Sequence, residues 1–140
     1  MTDADWKIVE TCLTSEFNPV GLICDGYHAC LRVKRIRMRL VIVFLINGEF
    51  KGVWMSDDCE ERRRFHRPVK RTVWDPKVLA MIKRMSAAEQ RRRKVDPKET
   101  SILYYPWWTD FKALKRHLIK NNTSIELAPD WKYEAAMGAL

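Results

Sequence analysis

The sequence predicts an α+β fold in a single domain of residues 1–140, with an antiparallel sheet of about three to five strands around a central hairpin at residues 36–55 and two main helices packed on it. Three observations lead to this prediction. A chain of 140 residues that is 46% hydrophobic and 31% charged has the size and composition of one globular domain. The Asn47-Gly48 pair between two apolar runs is typical of a hairpin. Later in the chain, the spacing of apolar residues becomes helical.

The N-terminal part of the chain predicts a helix followed by two strands. Residues 4–13 predict an amphipathic helix, whose apolar side carries Trp6, Val9 and Leu13. Residues 20–24 are a short apolar run that precedes the turn signal Asp25-Gly26. A second strand is expected over residues 27–33, so an antiparallel meander begins here.

An extended hairpin is predicted next. Its strands are residues 40–46 and 49–55, and the Asn47-Gly48 pair between them favours a type I′ turn. Both faces of this hairpin are apolar at its middle. We therefore expect a sheet that is covered on both sides, or one that is covered on one side and packs against a partner chain on the other.

Arginines and apolar residues alternate just upstream, with the period of a half-exposed strand: Arg35, Ile36, Arg37, Met38, Arg39 and Leu40. The three arginines are expected to share one face of that strand. The alternation is out of phase with residues 27–33, so a turn or bulge is expected at Lys34-Arg35.

Helices and short strands are predicted in the second half of the chain. Asp75 is a suitable N-cap for a helix that starts at Pro76 and runs to about residue 93. Residues 101–105 predict a strand. The remaining elements are a helix capped by Thr109, with Phe111, Leu114 and Leu118 as its buried stripe and Asn121-Asn122 at its end, a strand over residues 123–127 and a short tail helix capped by Asp130.

The charge of the chain is strongly uneven. Its net charge is +8, yet residues 1–30 carry five acids and one base. The excess therefore lies in residues 31–140, where it forms three runs that are richer in arginine than in lysine, at residues 32–39, 62–71 and 91–94. Guanidinium groups suit phosphate and carboxylate partners, so the runs indicate an anionic partner and exclude a mimic of DNA, which would have to be acidic.

Nine arginines of these runs are candidate contacts to nucleic-acid phosphates: Arg35, Arg37, Arg39, Arg62, Arg63, Arg64, Arg91, Arg92 and Arg93. Such binding releases counterions, so it should weaken with salt and show little sequence preference. The alternative is that the runs are solvated faces. Acids beside the second run can pair with its arginines, and the third run suits the negative end of a helix dipole.

The densest aromatic cluster surrounds Pro106. Tyr105, Trp107 and Trp108 are candidates for an interaction surface, because alternation along a strand cannot bury every ring of this segment in one core. Exposed rings would stack on bases or form a hot spot for a protein partner. The competing interpretation is half-buried packing around the proline. A protein-interaction module is therefore the alternative function, as a homo-oligomer, an inhibitor of a host factor or a binder of an acidic protein surface.

No cofactor or metal is expected. Cys24, His28, Cys30, Cys59 and His66 invite a zinc site, but their spacing lacks the two tight pairs of structural zinc sites. Buried apolar cysteines are the simpler interpretation, and whether the five side chains come together is left open.

A magnesium-dependent nuclease is the third function considered. Glu49-Phe50-Lys51 matches the acid, any residue, lysine pattern of a large nuclease superfamily, in which an upstream aspartate such as Asp25 completes the metal site. The predicted hairpin delivers no second carboxylate beside Glu49. The sequence also contains no nucleophile elbow, zinc-protease motif, phosphate loop or dinucleotide fingerprint, so an enzyme has little support.

A cytoplasmic protein without a membrane span is expected. The longest apolar run, residues 40–46, is far shorter than the roughly 20 residues that cross a bilayer. The N-terminus begins with acids, whereas a secretory signal peptide begins with basic residues.

The segment YYPWWTDFKALKRHLIKNNTSIEL at residues 104–127 resembles small uncharacterised proteins of bacteriophages and prophages, which are compact and rich in tryptophan and arginine. The resemblance covers about a sixth of the chain. It implies an accessory or host-interaction role in a phage, and it assigns no functional residue.

Overall fold

The computed structural model describes residues 1–129, which form two compact units. Among the described residues, unit 1 contains residues 1–67 and 104–129, and unit 2 is Pro68–Leu103. The predicted α+β class is confirmed, because the described residues form six helices, a five-stranded antiparallel sheet and a two-stranded sheet. The single domain of residues 1–140 stays a prediction. Within the described part of the chain, no helix is long and apolar enough to cross a membrane.

The large sheet belongs to unit 1. Its strands are β1 (Val20–Cys24), β2 (Tyr27–Ile36), β3 (Arg39–Ile46), β6 (Trp107–Trp108) and β7 (Ile125–Leu127), in the order β6-β3-β2-β1-β7 with all neighbours antiparallel. The helices of unit 1 are α1 (Asp3–Cys12), α2 (Val53–Ser56), α3 (Glu60–Phe65) and α6 (Phe111–Asn121). The strand predicted at residues 20–24 is confirmed, and the strand predicted at 123–127 is present in shorter form.

One face of the sheet packs on the helices. Alternate strand residues such as Leu31 and Phe44 are buried in one cluster with Val9 of α1, Phe65 of α3 and Leu114 of α6. The predicted apolar stripes of the first and last helices therefore do face a core. Asp110, not the predicted Thr109, caps α6 through a hydrogen bond from the backbone N–H of Lys112 to its side chain.

The hairpin of β2 and β3 turns at Arg37 and Met38, where a continuous strand was predicted. Both residues have positive φ, 47° and 63°, as a two-residue type I′ turn requires. The register pairs Ile36 with Arg39 and Arg35 with Leu40. The strand over residues 35–39, the bulge at Lys34-Arg35 and the shared face of the three arginines were therefore wrong.

The hairpin predicted over residues 36–55 ends after its first strand. Asn47 and Gly48 do form a turn, with φ of 52° and 80°, and Ile46 and Glu49 exchange backbone hydrogen bonds. The predicted second strand is wrong, because residues 53–56 form α2 and bury Trp54 against the core. β6 takes the place of that strand beside β3, so the partner of β3 comes from a distant part of the chain.

Unit 2 contains α4 (Pro76–Arg84), α5 (Ala87–Arg93) and most of β4 (Arg67–Thr72) and β5 (Thr100–Tyr105). The two strands pair with each other as a two-stranded sheet. The predicted N-cap Asp75 is confirmed, but the single helix over residues 76–93 is broken at Met85 and Ser86. The Ser86 side chain caps α5, and the side-chain amide of Gln90 donates to the carbonyl of Ile82, so the break is hydrogen-bonded. The tail helix predicted from Asp130 lies outside the described residues.

Candidate nucleic-acid interface

The face of the sheet opposite the helices, which we call the outer face, is set by the strand register. Residues that are directly opposite each other in antiparallel strands project to the same side. Because Leu31 pairs with Phe44 in the core, their sequence neighbours point outward. The outward pairs of β2 and β3 are Cys30 with Leu45, Arg32 with Val43, Lys34 with Val41 and Ile36 with Arg39.

Four exposed cations lie on or at the end of the outer face: Arg32, Lys34, Arg37 and Arg39. None of the four has an ion pair or a side-chain hydrogen bond within residues 1–129. The one acid among the outward strand residues described is Glu126 on β7, at the opposite edge of the sheet. This end of the outer face therefore combines positive charge with an absence of described counter-ions.

Two of these four cations were predicted as contacts from the sequence, and two were not. Arg37 and Arg39 were candidates, whereas Arg32 and Lys34 belong to the same basic run but were left out because the turn was placed at the wrong residues. Arg35 lies on the opposite face, where its Nε is 3.3 Å from Oε1 of Glu16. The structure therefore separates Arg35 from Arg39.

The aromatic candidates divide in the same way. The register aligns Arg32, Val43 and Trp107 in one row across three strands of the outer face. The ring of Trp107 stacks on Tyr105, with centroids 5.0 Å apart and planes 20° from parallel. The guanidinium of Arg67 is 5.4 Å from the Tyr105 ring centroid. Trp108 instead points into the core, where its indole N–H donates to the carbonyl of Phe65 at 2.8 Å.

A cleft lies between Trp107 and the end of the β2–β3 hairpin at residues 36–40, which we call the hairpin tip. Its volume is about 450 Å³, which falls within the range of roughly 300–1,000 Å³ that small-ligand sites occupy. The cleft is lined by residues of the β2–β3 hairpin, by Trp107 of β6 and by Thr109, which follows β6. The hairpin residues are Ile36, Arg37, Arg39 and Val41. The residues that line the cleft thus include one aromatic residue, two aliphatic residues and two arginines.

The second arginine run has internal partners. Arg64 donates to Glu60 at 2.7 Å, to Asp25 and to the side-chain oxygen of Asn122 at 3.0 Å. Hydrogen bonds to Glu60 and Asp25 raise the pKa of Arg64, which reflects how fully it is paired. Arg62 lies 4.1 Å from the Tyr104 ring centroid and 3.4 Å from Asp58, and Arg63 is 3.7 Å from the same carboxylate. Arg62 and Arg64 are thus engaged within the fold, whereas Arg63 is exposed and has only a surface ion pair.

The third run belongs to α5 of unit 2. Arg92 and Arg93 contact Glu89 at 3.4 and 3.0 Å on the same helix, and Arg91 is exposed. These residues follow the pattern of a basic last helical turn, which interacts favourably with the helix dipole.

The residues considered for metal chemistry are dispersed or engaged. No group of three potential metal ligands forms within residues 1–129, and the register places Cys24 on the core face and Cys30 on the outer face. Backbone N–H donors of Thr123 and Ser124 and the guanidinium of Arg64 lower the pKa of Asp25 and fix its carboxylate. Glu49 pairs with Ile46 across the Asn47-Gly48 turn, and its carboxylate is 3.6 Å from the Lys51 ammonium group.

Comparisons with known proteins add no relative: no family model, curated protein or solved structure matches this chain. The resemblance to phage proteins therefore stays a prediction.

Proposed function

We propose that the outer face binds nucleic acid through its phosphates. The observation that carries the proposal is the set of four exposed cations at one end of a sheet face, without carboxylate partners in the described chain and beside an aromatic wall. Unpaired cations that lie together repel each other, and a polyanion relieves that repulsion. This surface differs from Arg62, Arg63 and Arg64 of the second run, which have carboxylate partners.

Binding by this surface is expected to be electrostatic and largely independent of sequence. Each phosphate neutralised by a lysine or arginine releases condensed counterions. If all four cations contact phosphates of a single-stranded nucleic acid, a plot of the logarithm of the affinity against the logarithm of the salt concentration should have a slope of about −3.

A charge-neutralised variant tests the proposal. Arg32→Gln with Arg39→Gln should weaken binding to a labelled oligonucleotide at low salt and make the salt slope shallower by about one to two. The matched control is Lys112→Gln with Arg116→Gln, which removes the same charge from exposed positions on α6. Equal losses in both variants would show that net charge, not this face, drives binding. No binding by the parent protein at low salt would overturn the proposal.

A homo-oligomer is the second candidate function, and the hairpin tip favours it. Ile36, Met38 and Leu40 are 42%, 92% and 46% exposed, which is unusual for apolar residues so close together. If this tip is a self-association surface, light scattering should detect a dimer that Met38→Gln with Leu40→Gln dissociates. A monomer at all concentrations would exclude this function for the tip.

A further inference from the structure

We infer that the cleft between the hairpin tip and Trp107 holds one unpaired nucleobase, so the preferred ligand of this protein is a single strand. The inference rests on the proposed function and names its substrate class. It uses a different observation, namely the shape and chemistry of the cleft, which the phosphate contacts alone do not require.

The tryptophan is held in place for stacking. The stacked ring of Tyr105 supports Trp107 from one side, and Trp107 is also one of the residues that line the cleft. An indole that its neighbours already orient loses little conformational freedom when a base stacks on it. Every base has a π-face, so a stacking wall of this kind accepts any sequence.

The other walls suit the edges and the backbone of a nucleotide. Ile36 and Val41 are aliphatic, and Val41 is only 4% exposed, so part of the lining is apolar. Arg37 and Arg39 line the same cleft and present guanidinium groups that pair with phosphate or stack on a base. Arg32 shares the row of Trp107, and Lys34 lies opposite Val41, so further cations follow the sheet away from the cleft.

This arrangement disfavours a duplex. Bases inside a double helix are stacked on both faces, and offering one of them to Trp107 requires unpairing and unstacking. An unpaired strand has free base faces, and it can bend so that one base enters the cleft while its neighbouring phosphates follow the cations.

The experiment compares ligands with the same phosphates but different bases. Fluorescence anisotropy is measured with labelled oligothymidylate, oligouridylate, an abasic strand and a duplex, each about 12 nucleotides long, which is within the span that single-strand modules cover. We expect the protein to prefer either base-containing single strand over the abasic strand and over the duplex. Comparing the affinities for oligothymidylate and oligouridylate shows whether the protein prefers single-stranded DNA or single-stranded RNA.

Variants of the aromatic wall identify the cleft as the cause. Trp107→Leu should lose roughly 5- to 150-fold in affinity for oligothymidylate, the range for removal of a stacking ring, and Trp107→Phe should recover most of it. Phe17→Leu is the control, because Phe17 is an aromatic side chain of unit 1 that is 87% exposed outside the cleft. Affinity for the abasic strand should be similar in all of these variants.

The outcomes separate this inference from the proposed function. Equal affinity of the parent protein for oligothymidylate and the abasic strand overturns the base cleft and leaves phosphate binding intact. An unchanged preference in Trp107→Leu overturns it as well. No binding to any of the four ligands removes both proposals, and a dimer that buries Trp107 assigns the face to a second copy of the chain.

Discussion

At the scale of single residues, His66 is the most unusual ionisable group described. It is only 1% exposed, and its Nδ1 has no hydrogen-bond partner among the described residues. Its ring lies beside Phe50 and Trp54, at centroid distances of 6.5 and 6.2 Å. Burial lowers the pKa of His66 to about 4, and the charges of Arg62 and His117 act in the same direction. The folded protein therefore keeps this imidazole neutral.

A neutral buried histidine makes stability depend on pH. Below an ordinary pKa of about 6.5 the unfolded chain binds a proton that folded His66 refuses, so the free energy of unfolding falls as the pH decreases and levels off near pH 4. We expect a loss of about 2 kcal/mol between about pH 7.5 and 5, a window in which ordinary carboxylates stay mostly ionised. Urea denaturation at several pH values measures it.

The variant His66→Phe isolates this contribution. Phenylalanine keeps a ring beside Trp54 but does not titrate, so the pH dependence should become clearly shallower. Burial also lowers the pKa of His117, which adds a smaller dependence of the same sign. If His66→Phe shows the full pH dependence of the parent protein, His66 is not its source.

Part of the candidate site could be predicted from the sequence. Arg37, Arg39 and Trp107 were identified, because a basic run and a Pro-Trp-Trp segment are visible in the sequence. Arg35 could not be separated from Arg39 without the position of the turn, since a shift of the turn changes the face of every later residue.

At the scale of elements, the β2–β3 turn carries backbone strain. Arg37 and Met38 have side chains yet occupy left-handed φ values, which Asn-Gly satisfies more readily. The same hairpin tip provides two walls of the candidate cleft. Arg37 is therefore useful for ligand binding but unfavourable for the turn, where a residue that tolerates positive φ would be more stable.

A turn variant tests this trade-off. Met38→Gly should raise the free energy of unfolding by about 1 kcal/mol, measured as a higher urea midpoint with an unchanged slope. Arg37→Asn with Met38→Gly should add stability while weakening oligonucleotide binding, because one of the cleft cations is gone.

The matched control is the opposite change in the β1–β2 turn. Gly26 has φ of 89° and nothing within 4 Å of an added Cβ, so Gly26→Ala should cost about 1 kcal/mol through the backbone alone. A Met38→Gly variant no more stable than the parent protein would contradict the strain argument.

Elements with local signals were predictable, and elements whose partners are distant were not. β1 was predicted because an apolar run meets the turn residues Asp25 and Gly26. The turn at Arg37 and Met38 has no such signal, since neither residue favours positive φ. The strand expected after Gly48 does not form, because β6, more than fifty residues later, pairs with β3 in its place. The local sequence pattern carries no information about which distant strand pairs with β3.

At the scale of the whole molecule, the net charge of +8 is the sum of surfaces with different roles. Arg62, Arg63 and Arg64 have carboxylate partners, and two of the three arginines of α5 pair with Glu89. The cations of the outer face have no such partners within the described residues. The net charge therefore includes many arginines that already have carboxylate partners. The strand register determines which of the unpaired cations lie together on the outer face and can bind an anionic ligand.

Unit 1 is expected to fold without unit 2. Every buried residue of the main core cluster comes from unit 1, and the Arg67 guanidinium lies 5.4 Å from the Tyr105 ring, so the two cut ends are close. Replacing residues 68–103 with a short Gly-Ser linker should leave unit 1 folded, as judged by near-UV circular dichroism and a cooperative urea transition.

Binding by the shortened protein then decides the role of the third arginine run. If the outer face carries binding, the affinity for oligothymidylate and its salt dependence should stay close to those of the parent protein. If Arg91, Arg92 and Arg93 each engage a phosphate, the salt slope should become shallower by about two, and Arg91→Gln with Arg92→Gln and Arg93→Gln in the full chain should reproduce that change. A shallower slope in the triple arginine variant would place α5 in the interface, because this variant removes the three charges and keeps unit 2.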